Sequence, residues 1–481
     1  MTSSMPPPSF APVAFQPEIE SVLRTNYTSD QWSSIRSALA LPPSTTFLRV
    51  NTLLLPRSEA KVMLQTYVDG QCTEKGWPSC PVYEHPVFTD VLYLQVEGPL
   101  VVEPAGNEVI IDTMCGNAVL RGADIFATGV LAAQAPMRKG DRVAVYVDLD
   151  GACLRGQSRE YTGRKTFVGN GIALMGREDL YKGSAKQLRG KGVGVQMTSP
   201  LYKSPGLSDM FSRGIILQNL PSIMVGHALD PQPGQTVLDM CAAPGGKSTH
   251  LAALMKDQGT IIALDRSFPK IDRLTAYISA QNLKSVKAYC CDATGCVMKQ
   301  AETDAFLNTE SIEWWPTGSR ITALPRETFD RVLLDGPCSA LGQRPNFSPD
   351  ITLGVLKHYP QYQRSLLHAA HKLLKPGGIL VYSTCTFNAA ENEHNVAYAI
   401  ATFPDLEILP ILPAFEGIAA PGLEGVPGLC EDARRACCRF EPGMECGEGL
   451  ESIGFFFARF RKREVQGVHS DTVAHQDSTS R

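Results

Sequence analysis

The chain has no run of eighteen consecutive apolar residues, so no membrane-spanning helix is expected. Its first stretch, Met1 to Pro17, lacks a basic segment followed by a continuous apolar one, which argues against a secretory signal. Cysteine is too sparse for a disulfide scaffold of this size, at 14 residues in 481, and reduced thiols are expected. Neither sign of charge dominates. With 45 Lys and Arg against 49 Asp and Glu, the net charge of −4 gives no general attraction for polyanions, so a nucleic-acid partner requires a local basic patch. Core-forming residues are not lacking. At 43% hydrophobic and 20% charged, the composition excludes a disordered chain, a coiled coil and a collagen-like fibre.

The texture divides the chain into segments. Residues 1–110 open with a Pro- and Ser-rich stretch of about 17 residues, expected to be flexible. Ile19, Val22, Leu23 and Tyr27 at helical spacing predict one helix from Glu18 to Leu41, stopped by Pro42-Pro43. Phe47 to Leu53 and Val91 to Val96 read as strands. In residues 111–204 glycines punctuate short strands, Arg142 to Val147 and Lys165 to Ala173, and basic residues outnumber acidic ones. This is the pattern of a small β-rich module. Residues 205–465 alternate strands (Thr236–Met240, Thr260–Asp265, Val286–Cys290, Arg331–Asp335, Ile379–Ser383) with helices, including one predicted from Tyr362 to Leu374. The strands are nearly continuous apolar runs, which predicts an α/β, Rossmann-like parallel sheet covered on both faces. Glu302 to Arg326 has little periodicity and reads as a surface insertion, and residues 466–481 as a disordered tail.

The stretch Asp239-Met240-Cys241-Ala242-Ala243-Pro244-Gly245-Gly246-Lys247-Ser248 follows the first strand of that sheet and opens a helix. Gly245 and Gly246 let backbone approach a ligand, and the helix start offers free amides to an anion. A P-loop requires glycine where Cys241 stands, and a dinucleotide fingerprint requires Gly-x-Gly-x-x-Gly; both are absent. The remaining reading is an S-adenosylmethionine site. Its methionine carboxylate would lie at the helix start, with Asp265 on the ribose hydroxyls and Asp292 on the adenine amine. A lone acid at a strand end is more often a helix cap, but three successive strand ends carrying an acid or the glycine loop make a stronger signal.

Two cysteines follow strand ends, in Asp335-Gly336-Pro337-Cys338-Ser339 and Ser383-Thr384-Cys385-Thr386, where ligands bind in open α/β sheets. Cys290 and Cys291 read as small core hydrophobes. Cys430, Cys437, Cys438 and Cys446 match no zinc spacing, and no metal is expected.

Taken together, the loop Cys241 to Lys247, the motif Asp335-x-Pro337-Cys338-Ser339 and the motif Ser383-Thr384-Cys385-Thr386 resemble the Fmu/Sun (NSun) family of RNA cytosine-5 methyltransferases. Phe47-Leu48-Arg49-Val50-Asn51-Thr52, Gln343-Arg344-Pro345 and Asn388-x-x-Glu391-Asn392-Glu393 extend the match. One departure is Gly336, where many relatives carry Ala or Pro, which implies a looser loop. Gly116 to Ile125, Gly169-Asn170-Gly171 and Gly192-Val193-Gly194-Val195 resemble a PUA domain. A PUA module ahead of the catalytic domain is similar to the family's tRNA branch, which acts on an acceptor-stem cytosine beside the 3′ CCA end.

The resemblance implies that Cys385 attacks carbon-6 of cytosine, that Cys338 assists removal of the carbon-5 proton, and that Asp335 hydrogen-bonds ring nitrogen 3. Lys247 is expected to contact base or cofactor, and Asp335 to border the cofactor as well. In the PUA module Arg121 and Arg155 are candidates for phosphates or bases, Phe126 for stacking, and Lys165 and Arg177 are weaker RNA candidates. The partner expected is tRNA, with messenger RNA as a further candidate and no membrane; residence is expected to be cytoplasmic. A non-catalytic RNA-binding scaffold is the alternative, and retention of every reactive group argues against it. A methyltransferase acting on protein amines has no use for the thiol pair, whereas a DNA substrate stays open.

Overall fold

The computed structural model describes residues 10–182, 192–207, 210, 213–309 and 315–464. In the first unit, strands β1 (Thr45–Val50), β2 (Val82–Glu84) and β3 (Val91–Gln95) pair antiparallel over the helix Arg57–Lys75. The chain then leaves for β4 (Asn107–Ile111), β5 (Ile125–Phe126), β6 (Val130–Ala133), β7 (Arg142–Asp148), β8 (Lys165–Ala173) and β9 (Val193–Pro200), a sheet of order β5-β9-β8-β7-β4-β6. It returns as β10 (Ile215–Leu217) to pair with β1. The β-rich module is therefore inserted into the N-terminal unit. Its sheet starts at Asn107, ahead of the expected boundary at 111, and β10 belongs to the first sheet although it follows residue 205. Backbone pairing decides both points: β4 hydrogen-bonds in parallel with β7, a partner that glycine texture does not reveal.

The third sheet contains β11 (Thr236–Asp239), β12 (Thr260–Asp265), β13 (Val286–Cys290), β14 (Phe329–Asp335), β15 (Leu374–Thr384), β16 (Leu406–Ile408), β17 (Cys438–Phe440) and β18 (Phe455–Lys462). Its order is β13-β12-β11-β14-β15-β18-β16, with β11 to β15 parallel and β18 antiparallel to β15. After β13 the chain crosses to the far side of β11 and lays down β14. The strand order thus reverses between β11 and β14, and such a switch point leaves a crevice at the carboxyl ends of the strands. The loops expected to bind cofactor and to carry Cys338 leave from these two strands.

Several local expectations are corrected. The helix expected over Glu18–Leu41 is two helices, Pro17–Leu23 and Ser29–Leu39, because Thr28 and Gln31 form a capping box that restarts it. Residues 10–17 are not a free arm: Val13 is buried and exchanges bonds with Arg36, and Phe10 stacks on Phe347. Residues 1–9 and the expected tail lie outside the described residues. β1 stops at Val50, where Asn51 turns the chain by accepting from Leu53 N. The helix expected from Tyr362 begins at Leu353, capped by Thr352, and runs through Pro360. The expected insertion contains the helix Gln300–Thr309, and Phe306 and Leu324 join the core.

Polar side chains lock the units together. Arg344 donates to Ala38 O (2.7 Å) and Glu451 Oε1 (2.7 Å). Asp90, on the tight turn into β3, accepts from His227 Nε2 at 3.0 Å and His250 Nε2 at 2.8 Å. Among the described residues this is the one Asp/His/Cys/Glu cluster with metal-ligand spacing. It reads as a latch. Both imidazoles are spent on the carboxylate, and the buried His250 Nδ1 lacks the outer acceptor that a metal-bound histidine uses. No described helix is long and apolar enough to cross a membrane.

The latch predicts a pH response. Burial pushes His250 down to about 4, so it stays neutral in the folded protein, whereas a histidine of the unfolded chain protonates near 6.5. Between those values the unfolded state binds more protons, so stability falls as pH falls. This residue contributes up to about 1.4 kcal/mol per pH unit. Denaturant titrations at stepped pH should show that slope, and His250→Asn should flatten it.

Candidate active site

The cofactor loop joins β11 to the helix Gly246–Leu254. Gly245 has φ 116°, and a Cβ there would lie 2.7 Å from Leu274 Cδ1, so both conformation and space demand glycine. Behind the loop stands Arg49 of β1, fully buried. Its Nε donates to Gln218 Oε1 at 2.8 Å, and its Nη2 to Gly246 O at 3.2 Å and Thr249 Oγ1 at 3.0 Å. Burial pushes its pKa down to about 10, which leaves it a cation near neutrality. The first family signature therefore braces the cofactor loop from another unit.

Asp239 closes β11. Its Oδ2 accepts from Ser248 Oγ at 2.7 Å, while Oδ1 is buried with no partner. Burial pushes its pKa up to about 7. Asp265 closes β12, nearly buried, and its carboxylate meets Arg266 N at 2.7 Å and Lys270 Nζ at 3.2 Å. An unpartnered acceptor at one strand end, a lining carboxylate at the next and helix-start amides between them fit S-adenosylmethionine, which carries an ammonium, ribose hydroxyls and a carboxylate. Asp292 departs from expectation. It is exposed, its Oδ1 caps its own turn by accepting from Thr294 N and Oγ1, and the cleft wall there is made by Cys291 and Ala293.

A cleft of about 520 Å³ runs from Asp265 and Cys241 past Asp335 to Cys338 and Cys385, with Tyr362 as its outer wall. A second cavity of about 410 Å³ lies on the other side of the loop, against Lys247 and Tyr277, and shares Asp335 with the first. Asp335 is thus common to both. Its Oδ2 accepts from Lys247 Nζ and its Oδ1 from Ser383 Oγ, each at 2.7 Å. Lys247, with its side chain 14% exposed, faces this carboxylate and the Phe455 ring, not bulk solvent.

The register pairs Asp335 with Ser383, so the two thiols emerge side by side from neighbouring strands, and Cys338 Sγ lies 3.4 Å from Cys385 Sγ. Their ionisation is pushed in opposite directions. The hydrogen bond with Cys338 lowers the Cys385 pKa, helped by Gln343 and Lys247 and opposed by burial and the charge of Asp335. Cys338 is pushed well above the usual thiol range by its hydrogen bond with Cys385, by burial, by the charge of Cys385 and then by that of Glu391. Cys385 is the thiol disposed to be nucleophilic.

Sequence reasoning quoted Glu391 without giving it a role. Fully buried, it accepts from Ser339 N (2.9 Å), Ser339 Oγ (2.6 Å), Gln363 Nε2 (3.0 Å) and Asn388 Nδ2 (2.9 Å). Ser339 Oγ meets Thr386 Oγ1 at 2.8 Å, and Asn392 bonds both Thr384 and Thr386. These bonds fasten the Cys338 loop to the Cys385 loop. Gln363 Nε2 also holds Pro337 O at 2.9 Å, so the loosening expected from Gly336 is opposed. Asp239 and Arg49 were missed likewise; a strand-end acid and an arginine inside an apolar strand were the available signals.

The RNA candidates separate. Arg155 donates to the carbonyls of Ala127, Thr128 and Val130, Arg177 to those of Ala133, Gly156 and Gln157, and Lys165 pairs with Glu108 at 2.6 Å. These bonds lie within their own module; Lys165 and Arg177 are half-buried, while Arg155 is also exposed. Arg121 and Phe126 are exposed, Phe126 by 58%. Arg121 borders a cavity of about 390 Å³ at the junction of all three units, opposite Gln218 and Gln343.

Residues 226–428 match the family described as 16S rRNA methyltransferase RsmB/F, and residues 107–190 match the PUA domain. The chain is 40% identical to the tRNA (cytosine(72)-C(5))-methyltransferase NSUN6 of Mus musculus, over 94% of this chain and 97% of that one. It is 37% identical to the Homo sapiens protein of the same name, over 94% and 98%. The crystal structure of NSun6 from Pyrococcus horikoshii with SFG superposes with a TM-score of 0.72 at 28% identity, covering 94% of this chain and 99% of that one.

The two acids should differ in their effect on cofactor. Asp265→Ala should weaken S-adenosylmethionine binding by about tenfold or more. Asp292→Ala, outside the cleft wall, should change it by less than about threefold. Calorimetry on the full chain measures both.

Proposed function

This chain belongs to the RsmB/F methyltransferase family, and we propose that it methylates carbon-5 of a tRNA cytosine, at position 72 of the acceptor stem beside the 3′ CCA end. The observation that carries the reading is the thiol pair at 3.4 Å, in one cleft with the strand ends that fit the cofactor. The near-complete coverage of relatives named for cytosine 72, together with the PUA match, supports the choice of tRNA and of position. Messenger RNA as a second substrate and cytoplasmic residence belong to the same proposal, to be tested by transcript mapping and by fractionation.

Carbon-5 of cytosine is a poor nucleophile. The Cys385 thiolate adds to carbon-6, forming a C–S bond and raising electron density at carbon-5. S-adenosylmethionine supplies an electrophilic methyl group. Asp335, ion-paired to Lys247, offers a carboxylate oxygen that stabilises protonated ring nitrogen 3 as the ring gains charge. Once Cys385 is consumed in the C–S bond, the charge that opposed ionisation of Cys338 is gone. Cys338 then gives its proton to water and, as thiolate, takes the carbon-5 proton; the C–H electrons form the C5=C6 bond, the C–S bond breaks to return the Cys385 thiolate, and nitrogen 3 releases the proton it took up from water on addition. A paired cytosine must first leave its stack, at roughly a few kcal/mol, and a terminal pair opens at the low end of that cost. Arg121, Phe126 and Arg155, which are exposed on the PUA module, are proposed to meet the single-stranded end.

With tRNA and labelled cofactor, wild type should transfer label and Cys385→Ala should lose roughly a thousandfold or more. Cys338→Ala should accumulate an RNA–protein adduct that survives denaturation. Full transfer by Cys385→Ala overturns the assignment of the nucleophile, and transfer to DNA in preference to RNA overturns the substrate class.

A further inference from the structure

The two sulfurs are chemically identical and in contact, yet the reaction needs one as nucleophile and the other as the proton-handling partner. We propose that Glu391 breaks this symmetry: it is a positioning residue that fixes the Cys338 loop against Cys385 and leaves the charge of the pair on Cys385. The catalytic consequence rests on the function proposed above; the assignment of charge does not.

Two of the four hydrogen bonds to the Glu391 carboxylate come from Ser339, the residue after Cys338. The other two come from Gln363 of the long helix and Asn388 of the Cys385 loop. Burial raises the Glu391 pKa, and the four donated hydrogen bonds oppose that rise and favour the carboxylate, whose field is weakly screened inside the protein. Both of its oxygens bond Ser339, the neighbour of Cys338, whereas on the Cys385 loop its bond is to Asn388, three residues beyond the thiol. The charged and titratable groups around the pair are unevenly shared. Cys338 faces Cys385, Glu391, Tyr359 and Tyr382, with Arg364 behind Tyr382. Cys385 faces Cys338, Tyr359, Asp335 and Lys247, and Gln343 bonds to it. An anion placed behind Cys338 and a cation placed on the side of Cys385 give the same direction: the proton stays on Cys338 and the charge on Cys385.

Substitution by glutamine keeps the volume but removes the charge. It also turns an NH₂ group toward one of the existing donors, Ser339 N, Asn388 Nδ2 or Gln363 Nε2, leaving that donor without its acceptor. A role in loop shape alone would alter turnover without altering which thiol ionises. The test therefore reads ionisation directly, on the full chain without RNA or cofactor. Iodoacetamide labelling is followed across pH by peptide mapping. In wild type Cys385 should label first and Cys338 only at higher pH. In Glu391→Gln the Cys338 profile should move to lower pH, while Glu391→Asp should restore the wild-type order. With tRNA and cofactor, Glu391→Gln should lose roughly tenfold to a hundredfold in turnover with little change in the KM for tRNA. A folded Glu391→Gln protein with an unchanged Cys338 profile overturns the proposal. If that variant does not fold, Ser339→Ala decides, because it keeps the carboxylate and frees the Cys338 loop. Slowed turnover with accumulating adduct supports the proposal, and unchanged turnover overturns it. Absence of tRNA methylation with a shifted labelling order removes the proposed function and leaves the Glu391 assignment standing.

Discussion

The contact between Cys338 and Cys385 is the constraint around which the catalytic unit is arranged. Two side chains on separate loops are held at 3.4 Å because their loops leave adjacent parallel strands in a fixed register, with Asp335 opposite Ser383. Parallel strands lie about 4.8 Å apart, so side chains just past their ends meet without further distortion of the backbone. The same edge of the sheet carries Asp239 and Asp265 on the strands to one side. The crossing from β13 to β14 therefore does two things: it opens the crevice, and it brings the cofactor's strand ends within one cleft of the thiols.

Such a cleft concentrates buried polar groups, which are costly unless each finds a partner. The molecule meets this with dense networks. Glu391 is saturated by four donors, Asp335 is shared by Lys247 and Ser383, and Glu393 pairs with the buried Arg439 behind the same helix start. Among the described residues the exceptions are scattered over the units, and two of them, Asp239 Oδ1 and Arg49 Nη1, lie at the loop after β11.

The N-terminal unit is more than an attachment for the PUA module. Because that module is inserted between β3 and β10, both ends of the insertion anchor in one small sheet. β1 of that sheet sends Arg49 into the base of the cofactor loop, and Asp90 beside β3 holds two histidines of the catalytic unit. The face expected to meet RNA and the loop expected to meet cofactor are therefore tied through a few buried side chains, with no flexible linker between them among the described residues.

Sequence alone determined the parallel sheet, the glycine turn after its first strand and the position of two thiols past strand ends, because these depend on local signals: apolar runs, a glycine pair at a strand-to-helix turn, and short motifs following strand ends. It did not determine which basic residues of the β-rich module bond within it. Arg177 and Lys165 look like Arg121 in a sequence, and only the fold shows them half-buried on carbonyls and a glutamate. Nor did it show that residues 10–16 pack down, that β10 returns to the first sheet, or that Asp292 turns to its own loop. The role of Glu391 was equally hidden, since its four donors come from three places spread between Ser339 and Asn388 and meet only when two strands and a helix are assembled. Chemistry carried by one side chain at the end of one strand is written locally. A charge state or an exposed surface is set by what long-range packing brings alongside it, and only the tertiary structure decides that.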